Sequence, residues 1–450
     1  MANQQHIVIL GAGESGIGAA ILALKQGYSV FVSDSGKISP SYKEELIRLG
    51  IPYEEGQHTE KKIIKATEVI KSPGIPDQVG IIQLIAGKQI PIISEIEFAG
   101  RFTKATTICI TGSNGKSTTT MLIYHILKNA GLHVGLAGNI GKSFAGQVAT
   151  GTYDYYVLEL SSFMLDHMYQ FKADIAVLLN ITPDHLDRYA YQMEKYVSSK
   201  FRIIQNQTKN DTFIYCADDA EIVRSLPKMK MNAQTYSFSI ETKQNVHAYL
   251  EDKQITIDLH RKNLNPFTMS ITELALQGKH NIYNSMASGI VAKVLELRNE
   301  SIRNSMGNFK NIEHRLEHVA KIAGIDFVND SKATNVNSTW YALESMHNGV
   351  VLILGGVDKG NDYTMLKELV KNKVRSIVCL GKNNKAIHDA FENDVDLIVN
   401  TSSAKDAVQM AYHMAQKGDT VLLSPACASF DLFENYEDRG NQFKKAVKEL

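Results

Sequence analysis

The chain has 450 residues, 44% hydrophobic and 21% charged, with 48 basic and 48 acidic side chains and no net charge. Three domains of ordinary size fit in that length, and the composition is that of a globular protein with ample material for a core. Balanced charge excludes a net field for nucleic acid or an anionic membrane, although a local basic cleft fits inside a neutral total, so any polyanion it binds is expected to be small.

The N-terminus, MANQQHIVILGAG, runs straight into a strand and a glycine turn, with no basic-apolar leader pattern. No apolar run is long enough to span a bilayer. The four cysteines, Cys109, Cys216, Cys379 and Cys427, are widely spaced and form no CxxC or metal-ligand pattern, which suits buried thiols in a reducing compartment. A cytoplasmic location is expected.

Short β-branched runs alternate with amphipathic helical stretches, the pattern of parallel sheets with crossover helices. The first set comprises the strand HIVIL (6–10), a helix over 16–26, the strand YSVFVSD (28–34), and the pieces TEVIKSPG and KQIPIIS, closing near residue 95. A second set opens with TTICITG (106–112) and a helix from Lys116, then continues through DYYVLEL (154–160) and ADIAVLLN (173–180). Residues 245–273 alternate polar and apolar, predicting antiparallel strands. The third set runs through GIDFVND (324–330), GVVLILGG (349–356), VRSIVCLG (374–381) and DTVLLSP (419–425). No fixed-period repeat or low-complexity tract occurs. The expected fold class is therefore α/β in three domains: a Rossmann-like unit at 1–95, a central P-loop-like parallel sheet with a small antiparallel addition at 96–311, and a second Rossmann-like unit at 312–450.

Two glycine loops carry the chemistry. Gly11-Ala12-Gly13-Glu14-Ser15-Gly16 follows a strand, opens a helix and precedes Asp34 at the end of the next strand, the setting of a dinucleotide fingerprint. NAD, another diphosphate, and a plain glycine turn all satisfy that pattern. The second loop, Ile110-Thr111-Gly112-Ser113-Asn114-Gly115-Lys116-Ser117-Thr118, has a GxxGK[ST] spacing, two residues shorter than the usual P-loop. Consecutive backbone N–H groups, the Lys116 point charge and a Ser117 or Thr118 hydroxyl for Mg²⁺ suit the β- and γ-phosphates of ATP; a turn that merely caps the helix is the plainer account.

The shortened loop, followed by Gly138-Asn139-Ile140-Gly141, Glu159-Leu160-Ser161-Ser162-Phe163, Asn180-Ile181-Thr182-Pro183-Asp184-His185, Gly278-Lys279-His280-Asn281 and Asn329-Asp330-Ser331-Lys332-Ala333-Thr334-Asn335, resembles the Mur ligase family of peptidoglycan synthesis. The late block Ser424-Pro425-Ala426-Cys427-Ala428-Ser429 with Arg439-Gly440 is similar to the member that adds D-glutamate to UDP-N-acetylmuramoyl-L-alanine. No DNPR signature, usual in the member adding diaminopimelate or lysine, occurs.

The resemblance implies an ATP-dependent amide ligase. ATP phosphorylates a substrate carboxylate, an amine attacks the acyl phosphate, and a tetrahedral intermediate collapses to amide and phosphate, with magnesium and lysines neutralising charge. Carried over residue by residue, Gly112, Ser113, Asn114, Gly115, Lys116, Ser117 and Thr118 hold ATP, joined by Asn281, Asn284, Arg315 and Asp330. Two Mg²⁺ ions are expected, with Ser117, Glu159, His185 and Lys200 as the metal set and Lys116, His185 and Lys200 as catalytic positions.

Read from the residues alone, Lys200 is a solvated lysine on a charged helix, and Thr182-Pro183-Asp184 is a helix start. The family's lysine at the Lys200 offset is carbamylated by CO₂, turning a cation into an anionic oxygen ligand. For the precursor, the resemblance supplies Ser15, Asp34, Asn139, with an amide free to contact it, and Ser162. For D-glutamate it supplies Lys332, Thr334, Lys359, Ser429 and Tyr436.

Two departures stand out: Tyr436 where relatives often carry phenylalanine, and Ser35-Gly36-Lys37 where they often place Thr-Arg after the aspartate. Asn281 and Asn284 are equally suited to capping a helix, and Lys359 to a surface loop. No nucleic-acid or membrane partner is expected, and the chain is read as a monomer. The competing readings are another amino-acid ligase of the Mur or folylpolyglutamate synthase type, an NAD-dependent dehydrogenase, and a non-catalytic nucleotide sensor.

Overall fold

The computed structural model describes residues 5–310, 313–346, 348–358 and 360–450. Three sheets account for the three sets of strands. The first holds β1 (His6–Leu10), β2 (Ser29–Asp34), β3 (Tyr53–Glu55), β4 (Glu68–Lys71) and β5 (Ile92–Ile93), all parallel in the order β3-β2-β1-β4-β5. Its first helix runs over Glu14–Lys25, two residues earlier than expected, because Gly13 already takes the extended cap conformation.

The second sheet holds β6 (Thr106–Thr111), β7 (Val134–Gly138), β8 (Tyr155–Glu159), β9 (Ile175–Leu178), β10 (Thr212–Cys216), β11 (Gln234–Ser239), β12 (Ala248–Glu251), β13 (Gln254–Ile257) and β14 (Phe267–Ser270). Their order is β14-β13-β12-β11-β10-β9-β6-β8-β7. Pairing is parallel except where β13 meets β12 and β14, which is the antiparallel addition expected over 245–273. The third sheet holds β15 (Glu317–Ile322), β16 (Ile325–Asn329), β17 (Val350–Leu354), β18 (Val374–Leu380), β19 (Leu397–Thr401) and β20 (Thr420–Leu423), in the order β15-β16-β20-β17-β18-β19. Only the β15–β16 pair is antiparallel. β9, β17 and β20 are buried along their whole length, as expected of parallel strands covered on both faces.

The described residues gather into two compact units, one running to Gln277 with Asn281–Phe309 added, the other joining Gly278–His280 to the chain from Lys310 onward. The border expected at residue 95 is thus a change of sheet and not a gap in packing. Ile7 and Ile9 of β1 belong to the same apolar core as Ile108 and Ile110 of β6, through Phe98 and Phe144. Helix Glu14–Lys25 lies against helix Phe144–Thr150 so closely that a Cβ on Gly18 would stand 1.8 Å from Ser143 Oγ and 2.8 Å from the Gly146 nitrogen. Among the described residues no helix is long and apolar enough to cross a membrane.

Glu95 is sealed into this junction, where its Oε1 accepts from Ser143 Oγ and the Ala145 N–H, both at 2.6 Å. Burial, helped by the nearby Glu14, outweighs those bonds and pushes its carboxyl from 4.5 up to about 7. The folded state thus binds a proton that the unfolded chain releases above 4.5. Glu95 therefore contributes most below pH 4.5, and its contribution is lost as the pH rises to about 7. Glu95→Gln keeps the acceptor oxygen without the ionisation. Urea unfolding between pH 5 and 8 should show the variant gaining on wild type as pH rises, by on the order of 3 kcal/mol at pH 8.

Candidate active site

The shortened glycine loop joins β6 to helix Lys116–Asn129, at the carboxyl ends of the parallel strands where α/β sheets place ligands. Gly115 caps the helix with φ +81°, and a Cβ there would meet Asn284 Oδ1 at 2.5 Å. Only glycine relieves both constraints. Asn284 also accepts from Thr119 Oγ1 at 3.2 Å and donates to Asn281 Oδ1 at 3.1 Å, while Asn281 donates back to the Gln277 carbonyl at 2.8 Å. Asn281 and Asn284 lie within helix Lys279–Val294 and pin it behind the glycine loop.

The N–H groups of Ser113 and Asn114 donate to the Asn180 carbonyl (2.9 Å) and to Asn180 Oδ1 (2.8 Å). The first turn of the following helix then holds the N–H groups that have no acceptor within the helix. Ser113 Oγ binds the backbone of Thr182 on both sides, donating to its carbonyl at 2.7 Å and accepting from its N–H at 2.9 Å. Asn114 Nδ2 reaches Thr182 Oγ1 at 3.3 Å. These bonds hold residues 180–184 to the loop in place of the helix start expected at Thr182-Pro183-Asp184. The first helical turn there is the 3-10 segment Leu186–Tyr189, capped by His185 at φ 53°.

Glu159 ends β8, in register with Ile110 of β6 and Gly138 of β7. Its Oε1 accepts from Asn139 Nδ2 at 2.8 Å, and Asn139 N–H donates to the Glu159 carbonyl at 2.9 Å. One N–H of the Asn139 amide is therefore engaged on this carboxylate. A Cβ on Gly138 would stand 2.2 Å from the Glu159 carbonyl oxygen, which explains the glycine. Glu159 Oε2 is buried without a hydrogen-bond partner, and so is Thr118 Oγ1. Orphaned oxygens of that kind are costly unless something binds them.

Lys116 Nζ donates to the Gly112 and Ser113 carbonyls at 2.8 and 2.7 Å. Lys200, on helix Met193–Phe201, is 2% exposed and not on the surface. Its Nζ donates to the same Gly112 carbonyl at 2.9 Å and to Thr111 Oγ1 at 3.2 Å, beside the Tyr196 ring. Burial first, and the charge of Lys116 second, hold its amine well below the ordinary lysine range, opposed by Asp184, Glu159 and Asp166.

His185 packs edge-on against Phe163, with Nε2 3.7 Å from Asp184 Oδ1. Ser162 is buried at the start of a short helix and its carbonyl accepts from Ser199 Oγ. Among the described residues no three His, Cys, Asp or Glu side chains form a ready metal cluster. Glu159, Thr118, Ser117 and Lys200 instead present single oxygens and an amine around one loop. Asn180, Asp184 and Tyr196 belong to this network and escaped the residue-level reading; Asn180 and Asp184 sit inside a quoted block, which was the available signal.

In the first sheet, Asp34 accepts from the Ala12 N–H at 2.7 Å and the Gly36 N–H at 2.8 Å, so it braces the first glycine loop. A Cβ on Gly16 would lie 1.9 Å from the Gly11 carbonyl oxygen. Ser15 is half-buried in the first turn of the helix behind that loop.

The second compact unit holds the remaining positions. Asp330, buried beyond β16, accepts from Ser424 Oγ at 2.9 Å and the Leu316 N–H at 3.2 Å. Burial lifts its carboxyl to about 6 against the pull of Arg315. Lys332 Nζ donates to Tyr436 OH at 3.0 Å and lies 4.8 Å from that ring's centroid, so the tyrosine adds a polar contact that phenylalanine lacks. Ser429 is buried and Thr334 half-buried. Lys359 lies outside the described residues.

Residues 5–94 match the family described as Mur ligase MurD-like, N-terminal domain; 110–292 match the Mur ligase middle domain; and 314–427 match the Mur ligase, glutamate ligase domain. A protein of Porphyromonas gingivalis named UDP-N-acetylmuramoylalanine--D-glutamate ligase is 56% identical over 446 residues, covering 99% of this chain and 98% of its own. Its namesake in Salinibacter ruber is 40% identical over 451 residues, covering 98% and 97%. Among solved structures, UDP-N-acetylmuramate-alanine ligase MurC from Thermotoga maritima aligns with a TM-score of 0.64 at 16% identity, covering 99% of this chain and 100% of its own. MurF ligase from the same organism, in complex with ADP, gives 0.61 at 16% identity, covering 94% and 95%. At that identity the structures speak for the fold alone.

Gly115→Ala puts a methyl group against Asn284 and forces a left-handed conformation on an L-residue, a strain of ~1–2 kcal/mol. Calorimetric titration should show ATP affinity falling at least about 10-fold, with the unfolding temperature lowered by roughly a few degrees.

Proposed function

The chain belongs to the Mur ligase family, and from that premise we propose that it joins D-glutamate to UDP-N-acetylmuramoyl-L-alanine in peptidoglycan precursor synthesis, with ATP converted to ADP and phosphate. The observation that supports it best is one glycine loop that gathers a phosphate-type lysine, a half-partnered buried carboxylate and a buried lysine held toward its neutral form. A dehydrogenase has no use for that set.

The phosphoryl group of ATP passes to the precursor carboxylate; the D-glutamate amine attacks the acyl phosphate, and the C–N bond forms as phosphate leaves. Gly112–Thr118 surround the triphosphate. Lys116 exchanges its two loop carbonyls for phosphate oxygens, and Asn281, Asn284, Arg315 and Asp330 contact the nucleotide. Glu159 Oε2 with the Ser117 or Thr118 hydroxyl fits Mg²⁺, a hard cation that takes oxygen ligands. Two magnesium ions, when bound, spread the charge of the phosphate oxygens and the carboxylate. Asn139 orients Glu159, and His185 completes the metal or carboxylate site.

Lys200 Nζ, as the neutral amine, adds CO₂: the nitrogen lone pair forms a bond to carbon as one C=O π bond opens onto its oxygen, one N–H proton leaves to solvent, and an anionic carbamate results. Only a neutral amine has the lone pair for this step, and burial supplies it. Ser15, Asp34, Asn139 and Ser162 serve the precursor, and Lys332, Thr334, Lys359, Ser429 and Tyr436 the D-glutamate. The reaction is placed in the cytoplasm, carried out by a monomer.

Phosphate release with ATP and the precursor should appear with D-glutamate and not with L-alanine, glycine, meso-diaminopimelate or L-lysine; activity with another member of that panel displaces the assignment. Lys200→Ala should lose more than about 100-fold in kcat and regain part of it with a short-chain carboxylate. Full activity without rescue removes the carbamate.

A further inference from the structure

Arg439, in helix Tyr436–Lys448, is 1% exposed. Its Nε donates to Ser331 Oγ at 3.0 Å and its Nη2 to the Ser331 carbonyl at 2.8 Å. Nη1 reaches the Cys427 carbonyl at 3.2 Å and the Gly355 carbonyl at 3.5 Å. Among the described residues no carboxylate lies within ion-pair distance of it; Asp431 and Asp330 act on it only at longer range. A buried cation with no counter-ion is costly, and neutral carbonyls meet only part of that cost. Burial accordingly pulls the guanidinium down to about 10.

The segments it binds are those that carry the amino-acid positions. Ser331 precedes Lys332, and its hydroxyl, while accepting from Arg439, donates to the Tyr436 carbonyl at 2.8 Å. Cys427 lies two residues before Ser429. Gly355 opens the loop that leads to Lys359. Five donors in a rigid plane can hold several such segments together, and a charge kept from water is poorly screened. An incoming amino acid with two carboxylates would bring further negative charge to a guanidinium that, among the described residues, has no carboxylate at ion-pair distance.

We propose that Arg439 is a positioning residue for the acceptor amino acid, fixing Lys332, Tyr436 and the Cys427–Ser429 segment, and that its uncompensated buried charge makes their pocket prefer a second carboxylate. The proposal rests on assigning D-glutamate to those residues.

The test measures kcat and KM on the full chain for D-glutamate and for D-glutamine, the neutral isostere, at saturating ATP and precursor. Arg439→Met should raise the KM for D-glutamate about 30-fold, leave that for ATP within about 3-fold, and collapse the D-glutamate over D-glutamine preference by a similar factor. Equal losses for both amino acids, or an unchanged preference, overturn the proposal. Should Arg439→Met fail to fold, Arg439→Lys decides: its ammonium keeps the charge with fewer donors, so KM should rise about 5-fold with the preference retained within about 3-fold. An unchanged KM there removes the positioning role, and a lost preference removes the charge role. A wild-type chain that prefers another dicarboxylate displaces the D-glutamate reading alone; one with no dicarboxylate preference sinks both.

Discussion

One carbonyl oxygen, that of Gly112, accepts from two lysine side chains, Lys116 and Lys200. Two ammonium groups on a single acceptor repel each other, and the more buried one has the least water to screen it. The strain is relieved by Lys200 giving up its proton or by anions entering the loop. Both outcomes fit the ligation proposed above: a neutral amine is the species that captures CO₂, and a triphosphate entering the loop would draw Lys116 off the carbonyls it now holds. The surroundings follow from that pair. Glu159 keeps one carboxylate oxygen unpartnered beside it, and Asn139 holds the other.

The rest of the loop is fixed by neutral groups. Asn180, Thr182 and Ser113 bond to one another and to the loop backbone, while Asn281 and Asn284 hold a helix against it from behind. Amide and hydroxyl bonds set the loop's shape without adding charge, so its field comes from the lysines, the helix N-terminus and the nearby Glu159 and Asp184 carboxylates. In the second compact unit a charged group does the fixing: Arg439 ties loop segments together through carbonyls and a hydroxyl, and Lys332 bonds to Tyr436 beside them.

Much of this was legible in the order of residues. β9, β17 and β20 read as continuous apolar runs because both of their faces are covered, and both glycine loops fell between a strand and a helix as their spacing demands. Other features depend on what folds against what. In the segment MEKYVSSKF nothing local separates Lys195, which is exposed, from Lys200, which is buried; the difference is which face meets β6. Thr182-Pro183-Asp184 has the chemistry of a helix start, but Ser113 and Asn114 take up the groups that a helix would have used. Arg439 sits among charged neighbours in YEDRGNQFKK, where nothing local marks it as buried, yet it is. The common core of the first two sheets was also hidden, because it depends on the missing side chain at Gly18.

That absence has a metric consequence. At Gly18 the helix behind the first glycine loop comes so close to Ser143 and Gly146, at the start of the helix that follows residues 138–141, that no side chain fits between them. The span from one loop to the other is thus held like the jaws of a caliper. On the function proposed above, a sugar-nucleotide precursor held at both loops would meet a fixed spacing before any chemistry begins.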